Sequence, residues 1–245
     1  MRCSILGFIV ALLGGPAFAL SLTVPGASNP YLAGMPDGAT DRCTPSFCNG
    51  NVDVAPDQSP VQVPIAVFDG QSFQFLATGG ASEGPISAFP ADPPDGDPGQ
   101  IIQHDANSGN NGIANIIVPL NALLGVFIGP NQPDGFAEPS ALNFSTATSR
   151  DYATLSPGLR QPFFIGDGLR ANGEQQTVLA PQGATRLFLG PADGSGWFNN
   201  EGEILVEVTA SAQVPLPATA WLLLGGIGAL ATAARRKAAN PSAAR

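Results

Sequence analysis

From residue 61 to residue 209 the chain never sustains a helical period of convincing length, and this limits its folds more than any motif does. Apolar residues come instead in short β-type runs: 61–68, 72–77 with Phe73 and Phe75 alternating, 113–118, 122–128, 163–165, 177–179, 186–189 and 204–209. Turn-forming Gly and Pro residues separate them. Eight short strands in this setting predict an all-β domain, an antiparallel β-sandwich or jelly roll. Two connections, 79–112 and 129–161, are longer than a compact domain usually carries without a binding role or further elements inside them. The first holds PADPPDGDPGQ, whose prolines argue against regular structure.

Both ends read as processing segments and fall outside the fold. Residues 1–19 have the form of an export signal: Arg2, an apolar stretch over 5–13, and Ala17-Phe18-Ala19 as the cleavage site, so the mature chain begins near Leu20. A first transmembrane helix fits less well, because Gly14, Gly15 and Pro16 cut the apolar stretch short. At the other end, Val214, Pro215, Leu216, Pro217 and Ala218 lead into an apolar run to Ala234, followed by Arg235, Arg236 and Lys237. As a helix that run would span roughly 28 Å, close to the roughly 30 Å of a bilayer's hydrocarbon core. The basic triplet would stay on the cytoplasmic side, leaving the body outside.

Motif, helix and basic tail together resemble the PEP-CTERM family of sorting signals in its VPLPA variant. The resemblance covers residues 214–245 and implies processing by an exosortase, a membrane-embedded cysteine protease, near Pro217 and Ala218. It also implies an inner-membrane-anchored precursor that becomes a cell-surface or extracellular-matrix protein of a Gram-negative bacterium. A plain C-terminal membrane anchor is the alternative.

Charge and cysteine use agree with export. All 19 acidic residues lie between the two processing segments, against five arginines (Arg42, Arg150, Arg160, Arg170 and Arg186) and no lysine, a balance of −14. Such a body disfavours nucleic acid and anionic membranes as partners, and its carboxylates are available to hold calcium. Nearly two hundred mature residues suffice for one core with an N-terminal appendage. Cys43 and Cys48, in CTPSFC, have the spacing of a small structural disulfide loop. A zinc site would need more soft ligands, and His104 is the sole histidine. The organisation expected is thus an export signal over 1–19, a loop-rich arm over 20–60 pinned by Tyr31 and Leu32, a β-sandwich domain over 61–213, and the sorting signal over 214–245.

The stretch LFLGPADGSGWFNNEGEILVEV, residues 187–208, carries the most pointed chemistry. A strand ends, a loop presents Asp193, Asn199 and Asn200, and a second strand resumes. Three oxygen-bearing side chains, with Gly194 and Gly196 letting carbonyls turn inward, suit a hard cation such as Ca²⁺. The same residues can form a Gly/Asn turn with no ion.

This loop resembles that of the calcium-dependent galactose-specific bacterial lectins, one residue shorter here. The resemblance implies Asp193, Asn199 and Asn200 as calcium ligands, with the Gly196 carbonyl between them and the Glu83 carbonyl from an earlier loop. It implies a saccharide contact at Gln100, while Asp97 stands where that family has a His. Asp193 and Asn199 would bond sugar hydroxyls, and Trp197 would stack on a sugar face or cap the core.

The Asn- and Gly-rich run from His104 to Gly112 reads as left-handed turns. His104 beside Asp105 is a weak catalytic hint, and with no nucleophile elbow no enzyme is expected. The reading is an exported β-sandwich binding calcium and a saccharide or exopolysaccharide. A structural matrix component without a ligand and an exopolysaccharide hydrolase with paired carboxylates are the competing classes.

Overall fold

The structure, a computed structural model, describes residues 17–42, 48, 50–104 and 109–212. Most of the export signal, Cys43 and the whole sorting tail lie outside the described residues. The apolar helix expected over Leu216–Ala234 falls in that tail, and among the described residues no helix is long and apolar enough to cross a membrane.

The body is all-β. Its strands are β1 (Ala17–Pro25), β2 (Val61–Gln62), β3 (Ser72–Ser82), β4 (Asp97–Gln103), β5 (Ile116–Leu120), β6 (Leu123–Ile128), β7 (Leu142–Asn143), β8 (Thr154–Leu155), β9 (Phe163–Phe164), β10 (Thr177–Leu179), β11 (Arg186–Pro191) and β12 (Glu201–Ser211). They form a five-stranded sheet ordered β1-β12-β3-β10-β8, a four-stranded sheet ordered β2-β11-β6-β9, and a three-stranded sheet ordered β4-β5-β7. Most pairings are antiparallel as expected, but β10 with β8 and β5 with β7 are parallel.

The five-stranded sheet shows why its sequences became strands. In β12, Ile204, Val206, Val208 and Ala210 point inward while Glu203, Leu205 and Glu207 face out, the period-two pattern of a sheet covered on one side. Phe73, Phe75 and Ala77 of β3 join the same core, where Phe73 meets Phe127 of β6 with ring centroids 5.6 Å apart. That contact ties the two larger sheets together, and Phe127 in turn stacks on Phe163 of its own sheet at 5.3 Å.

The four-stranded sheet is different. β6 is buried along its whole length, LLGVFI. Leu123 and Phe127 belong to the main core, whereas Val126 and Ile128 join Phe188 of β11 in a second cluster with Tyr31, Ala33, Ile113 and Trp197. A continuous apolar strand needs cover on both faces, and here the N-terminal segment and the loop before β12 supply the outer layer. Residues 20–60 are therefore a layer of the fold. Tyr31 and Leu32 are its buried anchors, as expected, while β1, ahead of them, is an edge strand of the five-stranded sheet.

Both long connections contain elements. β4 lies in the first, β7, β8 and a helical turn at Ala147–Arg150 in the second. β4 corrects the expectation drawn from its prolines: it is an edge strand, its register with β5 shifts between Asp97 and Ile101, and the resulting bulge accommodates Pro98.

Candidate functional site

The loop from Ala192 to Asn200 hangs between β11 and β12. Gly196, with φ of 87°, turns the chain into a 3₁₀ turn at Trp197–Asn199. Trp197 is 0 % exposed and its Nε1–H donates to the Pro191 carbonyl at 2.9 Å. That placement makes it a core cap and removes it from any sugar-contacting surface. The Gly196 carbonyl accepts from the Asn199 N–H at 3.3 Å, so it is already engaged within the turn.

Asp193 and Asn200 do come together. Asp193 Oδ1 accepts from the N–H groups of Gly194 and Ser195 at 2.5 and 3.4 Å, and Oδ2 accepts from Asn200 Nδ2 at 2.9 Å. Asp193 is 9 % and Asn200 7 % exposed. Burial pushes the Asp193 carboxyl up to about 7, against the lowering effect of those three hydrogen bonds. Asn200 Oδ1 is buried without a hydrogen-bond partner.

The other expected ligands are less convergent. Glu83 directly follows Ser82, the residue that closes the β3–β12 ladder opposite Glu201. Asn199 is exposed, and its amide nitrogen lies 3.8 Å from where a Cβ on Gly84 would sit. β4 approaches the loop at Gln103, whose carbonyl is 3.5 Å from the Cβ position of Gly194. Gln100 is three residues earlier, roughly 10 Å along the strand, and Asp97, earlier still, accepts from its own Gly99 N–H at 2.8 Å. Among the described residues no group of three His, Cys, Asp or Glu side chains is placed to hold a metal ion.

A second polar cluster, which the sequence did not reveal, lies under this loop. Asn29 Nδ2 donates to Asp41 Oδ2 at 2.7 Å and to Asp53 Oδ2 at 3.2 Å. Asp41 also contacts His104 Nε2 at 3.1 Å and accepts from Asn110 Nδ2 at 2.6 Å. Asp53 accepts from the N–H groups of Trp197 and Phe198 at 3.1 and 2.7 Å, which ties the N-terminal layer to the loop. The Tyr31 ring lies on His104 with centroids 3.8 Å apart.

Burial alone would raise the Asp41 carboxyl, but the hydrogen bond and charge of His104, helped by Asn29 and Asn110, hold it below its ordinary value. The Asp53 carboxyl moves the other way. Burial, with the Asp41 charge added, raises it to about 6. His104 thus finds its carboxylate 63 residues away in sequence. Asp105, the neighbour first considered, lies outside the described residues. The signal available beforehand was local: Asn29 before Pro30 is a capping pattern, and its side chain accepts from the Tyr31 N–H at 2.8 Å.

Two surface depressions lie elsewhere. One of about 440 Å³ runs along the outer face of β1, β12 and β3, between Leu76 and Leu205. Another, of about 230 Å³, is lined by Asp95, Arg150 and Asp151; burial raises the Asp95 carboxyl. Cys48, next to Gly196, is buried and disulfide-bonded. Its expected partner Cys43 is outside the described residues.

No curated protein matches this chain. Residues 213–237, which begin two residues after the last strand of the body, match the PEP-CTERM protein-sorting motif.

Proposed function

We propose that the protein is an exported substrate of an exosortase, cut near Pro217 and Ala218 of a VPLPA-type signal, whose body serves as a structural component of the envelope or extracellular matrix. The observation that carries this is the PEP-CTERM sorting motif at 213–237. Before processing, the apolar run from Leu216 to Ala234 holds the precursor in the inner membrane. The structural role is supported by the engagement of the loop's other groups: the Asp193 oxygens are bonded by donors of the loop itself, and Gly196 and Trp197 are used by the turn and the core. A Cys43–Cys48 disulfide staples the N-terminal layer.

A second reading is favoured by one atom. The partnerless Asn200 Oδ1, buried beside the Asp193 carboxylate, is an acceptor that Ca²⁺ would satisfy, with Glu83 nearby and a saccharide completing the shell.

Two measurements test these readings. The mass of the surface or medium form should correspond to a chain that has lost the tail, and replacing Pro215 and Pro217 should leave the full-length precursor in the membrane. An unprocessed wild-type chain overturns the sorting reading. Melting at pH 8 should be indifferent to a chelator and to added calcium. A calcium-dependent rise that Asp193→Asn abolishes, with calcium-dependent retention on a glycan array, would replace the structural reading with the lectin-like one.

A further inference from the structure

The junction at which the export signal is expected to be cut, between Ala19 and Leu20, falls inside β1. Ala17, Phe18 and Ala19 pair with Ser211, Ala210 and Thr209, the last residues of the last strand. In the five-stranded sheet β1 sits at the edge, with β12 as its neighbour. The first strand of the body therefore has to wait for the last, and its ladder forms only when residues 201–211 have arrived beside β3. Once formed, the segment around the junction is held in the sheet, with Val24 buried and Leu20 and Leu22 packed against the core.

A protease can cut such a segment only when it leaves the sheet, so its rate follows the population of the opened state. We propose that closure of β1 on β12 masks the leader junction, so that removal of the leader is confined to the interval before the C-terminal strand docks. The step is hydrolysis of the Ala19–Leu20 peptide bond by one water, leaving a carboxylate on Ala19 and an ammonium on Leu20. This inference rests on the export reading of residues 1–19.

The product is a sound fold. Leu20 to Pro25 keep their register with Val208 to Glu203. Thr209 and Ala210 keep their pairing with Gln74 and Phe73, and Ser211 remains held by Gln71 Nε2 at 3.0 Å and by the Ser72 N–H at 3.1 Å.

The test uses the full-length precursor and a leader peptidase in detergent micelles, with mass spectrometry reading the new Leu20 terminus. One sample is refolded to completion before the peptidase is added; the other is diluted from urea directly into it. Cutting at Ala19–Leu20 should be at least about a hundredfold slower in the refolded sample, because it requires opening of paired strand. An Ala210→Pro variant, which removes the ladder donor opposite Phe18, should recover much of the rate. Equal rates in the two wild-type samples overturn the masking. Absence of this cut in the freshly diluted sample shows instead that the leader reading is wrong, and the inference falls with it.

Discussion

Asp193→Asn should change the pH dependence of stability more than stability itself. The folded carboxyl sits at about 7 and its ordinary value is 3.8. The unfolded chain therefore loses this proton first. The contribution is present in full below about pH 4 and is lost as pH rises through about 7. A shift of about 3 units, at about 1.4 kcal/mol each, removes about 4 kcal/mol across that range. Asparagine does not titrate. Its oxygen can keep the Gly194 and Ser195 N–H groups, and its new NH₂ faces Asn200, whose amide can turn to offer the partnerless Oδ1.

Urea unfolding of residues 20–212, followed by the fluorescence of Trp197, the one tryptophan left after tail removal, gives the stability at each pH. The variant should match the wild type within about 1 kcal/mol near pH 4.5 and exceed it by about 2–4 kcal/mol at pH 8. Parallel curves for the two proteins between pH 4.5 and 8 would refute the assignment of a strained, buried carboxylate to Asp193.

Asp53→Ala should cost about 3 kcal/mol in the same unfolding assay near pH 5, because it orphans the N–H groups of Trp197 and Phe198 and one amide hydrogen of Asn29. Asp53→Asn keeps an acceptor and sheds the burial penalty on the charge, so at pH 8 it should cost less than half as much; equal losses would contradict the account. Gly80→Ala should lower Tm by several degrees, since its Cβ would lie 2.2 Å from the Asp92 carbonyl oxygen where that residue bridges to Ala81. An unchanged Tm would show that the close approach is relaxed in solution.

What could be read in advance followed from local pattern. The alternation in 72–77 and 204–209 marked the inward faces of β3 and β12, and the loop spacing of Asp193 and Asn200 anticipated their contact. β1 was obscured because its first residues read as an export signal and its partner is the far end of the chain. β4 was obscured by Pro98, which is tolerated there by an edge position and a bulge. The buried polar cluster joins Asn29, Asp41, Asp53 and His104 across long separations, and no spacing rule reports such contacts. The unbroken apolar run of β6 was the available clue to it, since a strand buried on both faces requires a covering layer and that layer had to come from residues outside the predicted strands.

The position of β12 sets how the body would respond to a pull applied at its C-terminal end. A pull applied at Ser211 along the strand axis toward Glu201 would load β12 over a span of roughly 35 Å. On either side β12 is held by ladders of nine pairs with β1 and ten with β3, and both run along that axis. Force in that direction shears the ladders, loading their hydrogen bonds together, whereas a pull across the strand would peel them one at a time. Without residues 17–19 the β1 ladder would keep the six pairs from Leu20 to Pro25, and the β3 ladder would stay whole. The strand that precedes the sorting motif in sequence is thus also the one held by the two longest ladders among the described strands.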